Sequence, residues 1–267
     1  MRLWMLGSGS RGNAVLLESA GSRVLIDAGF PVRVLAERLR TIAVAPESVE
    51  AVVITHEHTD HVRGACAAAK RWGWSVYATP GTAAACPTLQ DAGARPFASG
   101  ATVELSEIAL ASVPTPHDAA EPVAFVATER SSGYRAGIVY DVGHITTALR
   151  SALARLDLLV LEANHDEGML RAGPYPPSVR HRIGGSHGHL SNCAAAAVAA
   201  ERAHAGLTHV VLAHLSDSCN DPALAVRTVR DALRGTRFRG EVLAATQDTI
   251  VGALGGAGIR EAQLSLF

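Results

Sequence analysis

Aromatic residues make up only 4% of the 267-residue chain, so its core must be built mainly from Ala, Val, Leu and Ile. Neither sign of charge dominates: the formal net charge is −1 and the sequence pI about 6.9. That balance excludes a global pull toward nucleic acid or anionic membranes, and any polyanion would have to be held locally. No apolar run approaches the ~20 residues needed to cross a bilayer, so no membrane partner is expected. The opening "MRLWMLGSGSRGN" has no long apolar segment followed by a small-residue cleavage site, so it does not read as a signal peptide. Cysteine is sparse as well. Cys66, Cys86, Cys193 and Cys219 form neither a C-x-x-C pair nor a disulfide framework, which predicts a reduced, cytoplasmic enzyme.

What is present is hydrophobic sequence, 48% of the chain, and histidine, of which there are 12. "RLWML", "AVLLE" and "RVLID" read as strands joined by Gly-rich turns, and a helix is expected over residues 31–40 with Pro31 at its start. "EAVVIT" and "LDLLVLEA" are continuous apolar runs typical of strands buried on both faces. Short alternating stretches from Ala101 to Tyr140 predict a second sheet. Residues 164–188, with three prolines and several glycines, read as a long ordered loop. "LSNCAAAAVAAERAHA" and "DPALAVRTVRDALRG" are helices, with Ser191 and Asp221 as caps. The alternation of β-rich and β/α segments hints at two similar halves.

Each informative polar cluster follows an apolar strand: His56, His58, Asp60 and His61 in "THEHTDH", Asp141 after "GIVY", Asn164 and His165 after "LVLE", and His214 after "VVLA". Ligands in layered α/β folds gather at strand ends. Imidazole and carboxylate at H-x-H-x-D-H spacing suit borderline divalent metals, and one loop cannot fill two coordination spheres. The further candidate ligands are His117, Asp141 and His214.

"THEHTDH" resembles the signature of the metallo-β-lactamase superfamily, and His117, Asp141 and His214 fall where its other motifs belong. The resemblance implies an αββα sandwich of two mixed sheets flanked by helices. It implies that His56, His58 and His117 hold a first metal, that Asp60, His61 and His214 hold a second, and that Asp141 bridges them. Zinc suits the histidines, and manganese remains open where carboxylates and phosphate complete the shell. Two such cations can activate a shared water and neutralise charge on a phosphoryl or acyl oxygen, so hydrolysis is the expected reaction class.

"GSGSRGNAVLLE", "LEANHDEGML", "GPYPPSVRHRIGGSHGHLSN" and "LAHLSDSCNDP" together look like the YycJ/WalJ-like branch, similar to 5′→3′ DNA exonucleases, with Cys219 standing where members more often show Asn. That implies DNA as substrate, in replication or repair; a lactonase or thioesterase on the same metals is the rival. Expected catalytic residues are Asp60, Asp141 and His189, the last a phosphate binder or proton donor. Expected substrate contacts are Asn13, Asn164, His165, Arg180, Arg182 and His189, with Asn164 and His165 read alternatively as partners that orient the metal ligands. The "GSGSRGN" loop either turns its N–H groups toward an anion or is a plain hairpin turn. Asp27, ending a strand in "LIDAG", is expected to bond a ligand histidine from behind. Residues 1–251 read as the hydrolase domain and 252–267 as a Gly-rich leash with the tail "QLSLF". The tail is similar to the pentapeptide that docks on the DNA polymerase sliding clamp, which would engage Gln263, Leu264, Leu266 and Phe267; the alternative is a strand that folds back on the domain.

Overall fold

The computed structural model describes residues 1–255 and the backbone of residues 262–265. Its first sheet contains β1 (Arg2–Gly7), β2 (Ala14–Ser19), β3 (Ser22–Ile26), β4 (Ala51–Val53), β5 (Ser75–Ala78) and β6 (Arg95–Pro96). The second contains β7 (Thr102–Glu104), β8 (Ile108–Pro114), β9 (Val123–Glu129), β10 (Arg135–Val139), β11 (Leu158–Glu162), β12 (His209–Ala213) and β13 (Glu241–Ala244). The chain then returns to the first sheet as β14 (Thr249–Leu254) and β15 (Ala262–Ser265), giving the orders β15-β14-β1-β2-β3-β4-β5-β6 and β13-β12-β11-β10-β9-β8-β7.

Both sheets are mixed in the same way. β14, β1, β2 and β3 pair antiparallel, then β3 to β6 run parallel. β7 to β10 pair antiparallel, then β10 to β13 run parallel. The two halves expected from the sequence are therefore two copies of one sheet plan. The helices are α1 (Val32–Thr41), α2 (Thr59–Val62), α3 (Ala65–Trp72), α4 (Pro80–Ala85), α5 (Pro87–Asp91), α6 (Thr147–Ala152), α7 (Glu167–Ala172), α8 (Pro177–Ile183), α9 (Asn192–Arg202) and α10 (Pro222–Leu233).

The continuous apolar runs are explained by the layering. Successive side chains of a strand point to opposite faces. In β2, Val15 and Leu17 enter the core between the sheets, while Ala14 and Leu16 enter the layer shared with α1 and α3. In β11, Leu158 and Val160 face the other sheet, while Leu159 and Leu161 face the layer under α6, α9 and α10. Both faces are dry, so the strands read as unbroken hydrophobe. With few aromatics, small helix residues such as Ala195, Ala196 and Ala199 pack directly on the second sheet.

Two expectations change. Residues 164–188 are not one loop: Asp166 accepts from Met169 N at 2.8 Å and starts α7, and Pro177 occupies the first turn of α8. Proline ends helices only when it falls inside them, and at the first turn it favours one. The boundary expected at 251 falls inside β14, which continues to Leu254. Ser191 and Asp221 cap α9 and α10 as expected, accepting from Ala194 N and Leu224 N.

Candidate metal centre

Asp27, the His56–His61 cluster, Asp141, Asn164 and His214 each follow the end of a parallel-paired strand (β3, β4, β10, β11 and β12), while His117 follows β8, which pairs antiparallel. Three of the residues there have left-handed backbone: Asp27 (φ 61°), Asp141 (φ 53°) and His214 (φ 54°), just after β3, β10 and β12. Such a conformation is uncommon for non-glycine residues and clusters at functional sites. It turns each side chain sharply out of its strand.

Asp27 is fully buried and anchors the histidine loop. Its carboxylate accepts from Thr55 N and Thr55 Oγ1 (both 2.8 Å), Tyr140 OH (2.8 Å) and His61 Nδ1 (2.7 Å). The expected bond from Asp27 to a ligand histidine is therefore present, and Tyr140 is a partner that sequence reasoning did not name. After His56 and His58, α2 makes a single turn that carries Asp60 and His61. Its backbone rests on the strand end opposite, with Asp60 O accepting from Asn13 N (2.8 Å) and His61 O from Ala28 N (2.8 Å). Gly29 makes that approach possible, since a Cβ there would lie 1.7 Å from Asp60 O. Gly29→Ala is expected to destabilise the fold by about 1–3 kcal/mol through overpacking against backbone. Thermal unfolding measures it, and an unchanged Tm would show that α2 moves freely.

The seven expected ligands converge. His56 Nε2 lies 3.0 Å from His58 Nδ1, and His117 Nε2 lies 3.4 Å from that same atom. Asp60 Oδ2 lies 3.4 Å from both His61 Nε2 and His214 Nε2. Asp141 stands between the groups, with Oδ2 3.0 Å from His61 Nε2, and Oδ1 3.1 Å from His214 Nδ1 and 3.9 Å from His117 Nε2. His56, His58 and His117 form one set able to hold a cation, and Asp60, His61 and His214 another; Asp141 joins His56 and His61 in a third.

The hydrogen bonds behind these atoms test whether metal ions fit. Thr55 Oγ1 donates to Asp27, so it accepts from His56 Nδ1 at 3.0 Å, and the lone pair of a neutral His56 falls on Nε2. His117 Nδ1 donates to Gly188 O at 3.2 Å, leaving its lone pair on Nε2 also. Those two nitrogens meet at His58 Nδ1. His61 donates Nδ1–H to Asp27, and its Nε2 faces the buried Asp141 Oδ2 at 3.0 Å, so a proton or a cation must lie between them. Lone pairs aimed at lone pairs repel unless a cation lies between them, so the donor set fits divalent metals. Charge follows the same geometry. Burial favours neutral rings, and His56 and His117 are lowered; Asp27, Asp141 and Asp60 overcome burial at His61 and raise it well above the usual range.

Glu162 is the functional residue that sequence reading missed. Fully buried at the end of β11, it accepts from His189 Nδ1 at 2.7 Å and lies 3.2 Å from His214 Nδ1 through Oε1. Its Oε2 accepts from Val142 N (2.9 Å) and Leu190 N (3.2 Å). The signal was available: a carboxylate closing an unbroken apolar run must be bonded to be tolerated there.

The expected substrate contacts separate into three groups. His189 and Arg182 line a cavity of about 250 Å³ over the cluster, with His58, Asp60, His117, Asp141 and His214 in its floor and Asp118 and His187 at its side. Asn13, Asn164 and His165 are buried beneath it. Asn13 Nδ2 lies 3.3 Å from Asp60 Oδ2, and Asn164 Nδ2 donates to His214 O at 2.9 Å, so both support ligands from behind. His165 pairs with Ser191 in an isolated β-bridge. Arg180 bonds Arg171 O and braces α8 against α7. The "GSGSRGN" loop spends most of its N–H groups on the protein itself: those at Ser8, Gly9, Arg11, Gly12 and Asn13 bond Thr246 O, Asn13 Oδ1, Gln247 Oε1, Gly9 O and Asp60 O, and Ser10 is its one residue on the cavity wall. Ser8 Oγ accepts from His214 N at 2.8 Å, and the loop becomes part of the support. Cys219 is buried, and Asn220 beside it donates to Ala163 O and Asn164 O.

Known proteins resemble this chain in sequence and in fold. Exodeoxyribonuclease YycJ of Bacillus anthracis is 30% identical over 240 residues, covering 88% of this chain and 89% of that protein. Exodeoxyribonuclease WalJ of Streptococcus pneumoniae is 30% identical over 235 residues, covering 86% and 87%. The fold matches the crystal structure of the metallo-β-lactamase fold protein YhfI from Bacillus subtilis with a TM-score of 0.68 at 18% identity, over 94% of this chain and 99% of that one. Human tRNase Z, short form, matches with a TM-score of 0.64 at 17% identity, over 95% and 99%. A family model described as the β-lactamase superfamily domain covers residues 22–214, and with this fold the chain belongs to the metallo-β-lactamase superfamily.

Proposed function

We propose that the chain is a metal-dependent phosphodiesterase that degrades DNA, a 5′→3′ exonuclease of replication or repair. The observation that carries this reading is the convergence of His56, His58, Asp60, His61, His117, Asp141 and His214 beneath one small cavity whose rim bears Arg182. Similarity to two exodeoxyribonucleases over most of the chain narrows hydrolysis to DNA. Two zinc or manganese ions are the cofactors proposed. His56, His58 and His117 would hold one, Asp60, His61 and His214 the other, with Asp141 shared. Bound there, divalent cations supply acidified water and neutralise charge on a phosphoryl oxygen.

The protein's own groups do the rest. Arg182, exposed at the rim beside Asp118 (2.8 Å), offers a guanidinium to a backbone phosphate. His189 donates Nδ1–H to Glu162, so its other nitrogen is left for the leaving oxygen. Burial disfavours the charged ring, but the charge and hydrogen bond of Glu162, with Asp141, raise its pKa and favour the protonated ring. Asp27, Asn13 and Asn164 hold the floor in register. Digestion of 5′- and 3′-labelled DNA, run beside thioester and lactone substrates and with metal analysis, tests the proposal. Turnover of lactones without DNA loss would replace it with the small-molecule hydrolase. No helix among the described residues is long and apolar enough to cross a membrane, and the four cysteines are free, in keeping with a cytoplasmic enzyme.

The tail is proposed to recruit the sliding clamp. Gln263 and Leu264 lie in β15, opposite Val251 and Ile250 of β14, while Leu266 and Phe267 lie outside the described residues. A short extended anchor is weak alone but gains through tethering when its partner encircles the same DNA. Deleting residues 263–267 is expected to abolish clamp pull-down and leave the exonuclease rate within about twofold, since the tail adds binding and not chemistry. Pull-down that persists, or a truncated protein that unfolds, would make the tail structural.

A further inference from the structure

α8 is a helix whose apolar side faces the wrong way for packing. A surface helix normally turns its apolar stripe to the core. α8 has no buried residue, and its Val179 is the large apolar side chain exposed among the described residues, at 37%. Val179 and Ile183, four apart and so on one face, line the cavity above the metal-ligand cluster, with Arg182 beside them. The helix is held there at its middle and at its C-terminal end. Arg180, midway along it, bonds Arg171 O, and at the end His189 N donates to Ile183 O (2.8 Å) while Gly188, where a Cβ would meet Arg182 O at 2.2 Å, packs the following turn against it. The apolar wall is therefore fixed opposite a floor of histidine and carboxylate.

Resting on the nuclease reading, we propose that α8 is the subsite for the terminal nucleoside of a DNA strand, with Val179 and Ile183 against its base. The floor takes the phosphodiester, and a cavity of about 250 Å³ leaves room beside it for little more than one sugar and base. What must lie against the opposite wall is the nonionic part of the nucleotide, and an aliphatic surface suits the π-face that every base has. Val179 and Ile183 offer no hydrogen-bonding groups from their side chains, so the subsite holds any base and does not read sequence. Arg182 can exchange Asp118 for a phosphate of the same strand, because that ion pair is more than half exposed on both sides.

The test uses the full-length protein with its metals and a short 5′-phosphorylated single strand, compared with the same strand carrying an abasic residue at its 5′ end. For the unmodified protein, removing the base is expected to raise KM about tenfold, 1.4 kcal/mol of lost contact, with kcat nearly unchanged. Val179→Asp is expected to raise KM for the intact strand by a similar factor and to erase the difference between the two strands. Val179→Trp, offering a stacking surface, is expected to lower KM for the intact strand only. Val179 is exposed, so these variants should fold, and a thermal melt checks that. Equal KM for the two strands with the unmodified protein, or a difference that survives Val179→Asp, would overturn the subsite. Failure to digest either strand would instead overturn the nuclease reading.

Discussion

Asp141→Asn is expected to lower DNA hydrolysis by about a thousandfold or more, and to lower bound metal with it. Replacing a group that merely supports a ligand typically costs 10–100-fold in metal affinity or activity, and Asp141 is proposed as a ligand itself. Its carboxylate lies within 4 Å of His61, His117, His189 and His214, so one charge serves both halves of the cluster. Burial opposes ionisation at Asp141, but His214 and His61 hold its pKa well below the usual carboxylate range, and it stays anionic. The amide keeps the shape and removes the charge, leaving imidazole nitrogens crowded around a neutral group. Metal analysis separates this cause from a folding defect, since circular dichroism should be unchanged while metal content falls. Full activity with full metal content would show that Asp141 is not shared between cations.

Legibility in the sequence followed how local each signal was. The strand runs could be read because a two-sided dry strand has no polar position to interrupt it, as in Leu158–Glu162. The first histidine cluster could be read because its members are neighbours, and the distant residues that converge on it because each closes an apolar run. Support from behind was harder to see. Asn164, closing an apolar run, could be read as a residue that orients a ligand, but Asn13 sits in a Gly-rich turn, and only the pairing of remote strand ends shows that it lies beside Asp60 as Asn164 lies behind His214. The "GSGSRGN" loop has the glycines of an anion cradle, but Gln247, 236 positions from Arg11, takes up its N–H group. No spacing rule reports a bond of that span. α8 was concealed by its prolines, which suggest a loop until one sits at the first helical turn.

Glu162→Gln is expected to lower kcat by about 10–100-fold while removing no group from the cavity wall. The carboxylate has two oxygens and four donors converging on them, so it accepts on both sides. Glutamine has one oxygen. If the amide nitrogen takes the Oε1 position, it meets the Nδ1–H of His189 and His214; if it takes the Oε2 position, it meets the N–H groups of Val142 and Leu190. Either way buried donors face donors, and the stability cost is about 1–3 kcal/mol. In the first arrangement both imidazoles must turn or change tautomer, so His189 loses its hold on the proton and His214 its direction toward Asp60. The substitution acts through the same histidines as Asp141→Asn, so the double variant should fall well short of the summed losses. Thermal melts and the split between kcat and KM measure the two effects separately. A glutamine variant that melts lower but turns over DNA at the original kcat would reduce Glu162 to a structural carboxylate; loss of kcat at little cost in stability would place its whole effect on His189 and His214.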